Sequence, residues 1–143
     1  MYRWKLITFD RAETIFINKT YCLAKRKTVT EKLHKIIIDA ILDKKGKEVI
    51  SLDLRGINDT ASEFFVVTHG DSSTHVKAIF DSVMETTREK GYRPYRTEGS
   101  KGAEWMIIDF VDITVHVFLK DKRQFYALEE LWSDAVATKY YEA

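Results

Sequence analysis

Two runs of alternating apolar and polar positions between Glu98 and Leu119, joined by a tight turn at Val111-Asp112, form the clearest pattern in the chain. Side chains alternate across a strand, so Ala103, Trp105, Ile107 and Asp109 share one side of the first run, and Glu104, Met106, Ile108 and Phe110 the other. In the second run Ile113, Val115, Val117 and Leu119 oppose Thr114, His116 and Phe118. Neither face is fully polar, which predicts a β-hairpin in a sheet partly covered on both sides.

The rest of the pattern supplies partners for that hairpin. Thr28-Val29-Thr30-Glu31 reads as a capping box at a helix start, followed by Leu33, Ile36, Ile37, Ala40 and Ile41 at helical spacing and a stop at Gly46. Glu48 to Leu54 alternates as a strand, and Gly56 to Thr60 carries turn chemistry. Phe64 to Thr68 is a second apolar run, expected to be buried and to pair with the first. Gly70 to Ser73 then leads into a helical pattern, Val76, Ile79, Phe80, Val83 and Met84, that closes at Lys90-Gly91. Pro94 makes Tyr92 to Arg96 an edge strand or linker. Phe125, Leu128, Leu131 and Trp132 fall on one stripe of a last helix, and residues 136–143 read as a tail. The order of elements predicts one α/β domain over residues 29–135, preceded by a flexible extension of residues 1–28.

Charge changes this picture in one respect. The formal net charge is +1, but residues 1–28 hold seven basic residues (Arg3, Lys5, Arg11, Lys19, Lys25, Arg26, Lys27) against Asp10 and Glu13, a net of +5. The remaining chain is therefore at −4, which suits a basic protein partner better than a grip on nucleic acid through phosphate neutralisation. The lone Cys22 offers no internal disulfide, and no apolar run reaches the roughly 20 residues that span a bilayer. A reducing, cytoplasmic setting without a membrane is expected.

Candidate chemistry is thin. His34, His69, His75 and His116 match no metal spacing. Asp109 and Asp112 could hold a divalent cation, but two carboxylates on one strand face need an even separation, so capping the turn is the better reading. Gly70 to Ser73 could take a phosphate at a helix start or simply cap the helix. No nucleophile elbow, phosphate loop or dinucleotide fingerprint is present. Trp105 is either core or the anchor of a protein interface, with Glu98, Lys101 and Glu104 as a polar rim.

The runs Leu52 to Arg55, Glu63 to Ser73 with Val76 to Ile79, Glu98-Gly99 with Ala103 to Trp105, Asp109, Asp112 to Phe118, and Arg123 to Ala135 resemble the ribosomal silencing factor family, also called Iojap-like or RsfS. The resemblance covers about Thr30 to Ala135 and leaves residues 1–28 outside; His69 departs from the smaller residue of many relatives. It implies an α+β fold, a mixed sheet flanked by helices and similar to nucleotidyltransferases without their catalytic carboxylates. It also implies a non-enzymatic translation repressor without cofactor or metal, binding the large ribosomal subunit through its protein fourteen and blocking subunit joining when nutrients are scarce. Contact with ribosomal RNA would be peripheral at most. Carried over by position, the docking face comprises Glu98, Gly99, Glu104, Trp105, Ile107 and Asp109. An edge strand and exposed aromatics also permit a homodimer. The rival is a nucleotidyltransferase-like enzyme or nucleotide-binding domain using Gly70 to Ser73 and the two aspartates.

Overall fold

The computed structural model of the chain describes residues 11–57, 60–99 and 101–142, with side chains from residue 24 onward. Two units are distinguished, residues 1–32 and residues 33–143. Helix α1 (Arg11–Asp43) is longer than the pattern indicates. The capping box expected at Thr28 to Glu31 does not exist, because these residues lie inside a continuous helix. The Thr28 and Thr30 hydroxyls instead donate to the carbonyls of Ala24 and Arg26, each at 3.1 Å. A threonine inside a helix turns its hydroxyl back to the carbonyl four residues earlier, since the amides around it already have acceptors. Residues 11–28 of the expected extension are thus helical, and residues 1–10 lie outside the described residues, as do Asn58 and Asp59 of the turn after the first strand.

In the larger unit six strands form one mixed sheet: β1 (Lys47–Asp53), β2 (Phe64–Gly70), β3 (Arg96–Gly99), β4 (Trp105–Asp109), β5 (Ile113–Leu119) and β6 (Val136–Tyr140). Their order across the sheet is β3-β4-β5-β2-β1-β6, with β2 and β5 parallel and the other neighbours antiparallel. The expected hairpin is β4 and β5, with Trp105 opposite Phe118 and Asp109 opposite Thr114. The pairing of β1 with β2 also follows the sequence pattern; Tyr92 to Tyr95, expected as an edge strand or linker, form the linker, and the edge strand β3 begins only at Arg96. The segment expected as a tail contains β6, which pairs with β1 from Val49 opposite Tyr140 to Asp53 opposite Val136.

Alternation sorts the sheet's side chains onto two faces. Val49, Val66, Ile108, Ile113, Val115 and Val117 bury themselves against Leu33, Ile37 and Ile41 of α1 and Val76, Ile79 and Val83 of α2 (Ser73–Glu89). Nearly all of these are under 2% exposed, and each full burial contributes roughly 1.5–3 kcal/mol. The opposite face is a smaller cluster of Leu52, Leu54, Val67 and Phe118, with Phe65, Trp105, Leu128 and Trp132 packed partly against it. That second face is only partly roofed, by α3 (Lys120–Tyr126) and α4 (Leu128–Leu131).

These two short helices replace the single terminal helix that the Phe125 to Trp132 stripe indicates. Ala127 sits in the left-handed region (φ 43°, ψ 51°) and ends α3. The break rotates the two halves out of register: Leu128 and Trp132 reach the cluster, whereas Phe125 and Leu131 are 77% and 73% exposed. No helix among the described residues is long and apolar enough to cross a membrane.

Candidate functional site

The partly roofed face brings most of the candidate residues together. Glu98 on β3 is registered opposite Ile107 on β4, and Trp105 lies two residues along the same side of that strand. Glu98 and Glu104 are exposed, while Trp105, Ile107 and Asp109 are half-buried. Gly99 pairs with Met106 at the rim of the sheet, and its missing Cβ lies 3.3 Å from the Met106 side chain.

Trp105 is held on three sides. Its indole stacks on Phe118 (centroids 4.9 Å, 22° between planes) and lies against Tyr126 of α3 at 4.7 Å. Its Nε1–H donates to Nδ1 of His116 at 3.2 Å. The two readings left open by the sequence are therefore combined in one residue. Part of the ring belongs to the second cluster, and part remains open to solvent. A large aromatic fixed in this manner loses little rotamer freedom on contact with a partner, which is what a hot-spot anchor requires.

His116 is buried, and its ring meets Phe65 edge-on at 4.9 Å. Burial pushes its pKa down to about 4, with Asp109 opposing weakly. Neutral at ordinary pH and accepting through Nδ1, it must carry its proton on Nε2, which finds no hydrogen-bond partner among the described residues. It supports Trp105 from below.

Asp109 caps the hairpin turn, as its odd separation from Asp112 indicates. Its Oδ1 accepts from the Val111 amide at 2.8 Å, and its Oδ2 lies 3.3 Å from Arg96 Nε. The bond fixes a turn in which Val111 adopts φ 74°, a costly conformation for a β-branched residue. Arg96 also reaches Glu98 at 3.3 Å, and Glu104 pairs with Lys122 of α3 at 3.5 Å. These pairs are exposed, and such contacts add at most about 1 kcal/mol each.

Around Gly70 to Ser73 two backbone amides already have side-chain acceptors within the chain. The His75 amide donates to Ser72 Oγ at 3.2 Å, and the Asp71 amide donates to His75 Nδ1 at 3.1 Å. Gly70 is needed for close packing, since a Cβ there would come within 2.8 Å of the Val76 backbone nitrogen. No cluster of three or more histidine, cysteine or acidic side chains able to hold a metal is found among the described residues.

Two contributions escape the sequence pattern. Tyr126, which flanks Trp105, was hidden by the single-helix reading of its segment. Arg123 is buried and donates through Nη1 to the Glu48 carbonyl at 2.8 Å, to Lys47 O at 3.3 Å and to His69 Nδ1 at 3.0 Å, while its Nε donates to Glu129 at 2.8 Å. The two carbonyls belong to an irregularity in the β1–β2 ladder, where Glu48 has φ 45°. An arginine in a surface-like helical sequence carries no local signal of this task. His69, the departure from the family pattern, is its partner, and burial followed by the nearby Arg123 charge lowers the His69 pKa.

Fold and face together define a small α+β domain on a mixed six-stranded sheet, one face sealed by helices and the other presenting a half-buried Trp105 stacked on Phe118. The family described as "Ribosomal silencing factor during starvation" matches residues 27–142, and the chain belongs to that family. The ribosomal silencing factor RsfS of Halalkalibacterium halodurans is 40% identical over 105 residues, covering 73% of this chain and 89% of that protein. The crystal structure of protein CV0518 from Chromobacterium violaceum superimposes with a TM-score of 0.69 at 33% identity, covering 79% of this chain and 93% of the other. A more distant relative is the mouse protein named "Mitochondrial assembly of ribosomal large subunit protein 1", 29% identical over 75 residues and matched over 50% of this chain and 33% of its own length. Translation regulation by ribosome silencing is thus the family's province.

Proposed function

We propose that this protein represses translation by docking on the large ribosomal subunit through its protein fourteen, and that its bulk there prevents the small subunit from joining during nutrient limitation. The docking face comprises Glu98, Gly99, Glu104, Trp105, Ile107 and Asp109. The observation that carries this reading is the half-open Trp105, braced by Phe118, Tyr126 and His116 and flanked by exposed Glu98 and Glu104. Support comes also from the family's description and from the large subunit in the mouse relative's name. Physically, an acidic rim attracts a basic ribosomal protein and sets orientation, and the desolvated aromatic supplies the anchor. Asp109 contributes by holding the turn behind β4 more than by direct charge, because its oxygens already serve Val111 and Arg96.

The test is the double charge reversal Glu98→Lys with Glu104→Lys. Both side chains are exposed, so the circular dichroism spectrum should stay as in the parent protein. Co-sedimentation with free large subunits should weaken by about 10-fold or more, and subunit rejoining followed by light scattering should recover. Undiminished binding by a folded double variant rules this face out.

A further inference from the structure

Residues 1–26 precede the stretch matched by the silencing family, and residues 1–28 hold the net +5 described above. The structure places part of that charge on a regular scaffold. Within the unit of residues 1–32, α1 runs from Arg11, so Lys19, Lys25, Arg26 and Lys27 all lie on helix. The side chains of Lys25, Arg26, Lys27 and Lys32 are exposed, with Glu31 as the one acidic side chain among residues 24–32. Meanwhile the remainder of the chain is at −4.

We propose that the basic helical segment ending at Lys32 is an RNA-binding arm that grips the phosphate backbone of large-subunit ribosomal RNA. The proposal rests on the large-subunit reading above. An acidic body approaching an RNA-rich particle is repelled at long range, however well its docking face fits a basic ribosomal protein. A segment of opposite sign offsets that repulsion and raises the rate of encounter. Lys25 and Lys32 are seven residues apart and share one side of the helix, whereas Arg26 and Lys27 point about 100° and 200° around it. Charge spread around a helix suits contacts to phosphates, which position without reading sequence, rather than insertion of one face into a groove. Lys25 and Arg26 precede the family-matched stretch and Lys27 and Lys32 fall at its start, so this arm would extend the shared domain at its beginning.

The test uses the full chain with Lys25→Gln, Arg26→Gln and Lys27→Gln together; glutamine is a good helix former, so α1 is expected to persist in circular dichroism. Binding to purified large subunits is measured between about 50 and 200 mM salt, the range over which phosphate contacts are lost. Each phosphate contact adds about −0.7 to −0.9 to the slope of log affinity against log salt, so the triple variant should be shallower by about 2 and weaker by roughly 10-fold at low salt. The parent protein should also retard a deproteinised large-subunit RNA fragment that the triple variant leaves free, and Lys25→Arg with Lys27→Arg should behave as the parent does. An unchanged salt slope overturns the proposal, as does binding to anionic phospholipid vesicles without binding to RNA. Failure of the docking-face reading is separately visible: the Glu98→Lys, Glu104→Lys protein would then bind subunits normally, while the triple variant would still lose RNA binding.

Discussion

Replacing Trp105 by alanine separates the two jobs that this residue combines. Truncating a fully buried aromatic costs about 3–5 kcal/mol, and Trp105 is half-buried, so roughly 2 kcal/mol is the share from lost burial and stacking on Phe118 and Tyr126. The lost indole donor leaves Nδ1 of His116 without its partner in a buried setting, which adds about 1 kcal/mol. The sum, about 3 kcal/mol, corresponds to a fall in Tm of about 10 °C for a domain of this size. Trp105→Phe keeps the stacked ring and loses only the N–H, so about 1 kcal/mol and a few degrees are expected. Thermal unfolding followed by circular dichroism reads both values, and sedimentation with large subunits at a temperature where both variants are folded reads the docking role. A Tm for Trp105→Ala within about 2 °C of the parent would refute the packing argument, since a ring so placed cannot leave without cost. Full retention of subunit binding by the folded alanine variant would refute its role as an anchor.

Two further outcomes follow from the buried polar groups. The folded-state pKa of His116 is about 4, below its ordinary 6.5, so the unfolded chain takes up a proton first as pH falls; the stability present above pH 6.5 should decline towards pH 4, by up to about 3 kcal/mol from this residue, and His34 and His69, also lowered by burial, act in the same direction. Urea unfolding at several pH values should show that loss, and His116→Gln should flatten it; an equal acid limb in both proteins would count against the assignment. Arg123→Met should cost about 3 kcal/mol, because it strands the Glu48 carbonyl and leaves Glu129 without its guanidinium, and a shift in the urea midpoint worth less than about 1 kcal/mol would show that the network is dispensable.

Local periodicity made the centre of the fold legible. The β4–β5 hairpin, its two faces and the turn cap at Asp109 were all readable, because a strand's period of two is printed directly in Met106, Ile108, Val115 and Val117. The start of α1 was misread because Thr28 to Glu31 satisfy a capping pattern that helix interiors also contain by chance. The last helix was misread because a stripe assumes unbroken rotation, and nothing in an alanine announces the left-handed turn at Ala127. Strand β6 was missed because Val136 to Tyr140 is an exposed edge, where burial leaves no alternating signature.

What the sequence determined by itself was the set of elements whose burial follows a period, the split of charge between residues 1–28 and the rest of the chain, and the motifs that mark the silencing family. Only the tertiary structure decided how Trp105 is used. Its partners Phe118, Tyr126 and His116 come from the neighbouring strand and from a helix beyond it, and which part of an indole is sealed depends on contacts between elements. The same holds for Arg123, whose acceptors lie some 75 residues earlier at an irregularity in another pair of strands. Periodicity reports which side of an element is buried; it carries no information about what meets that side.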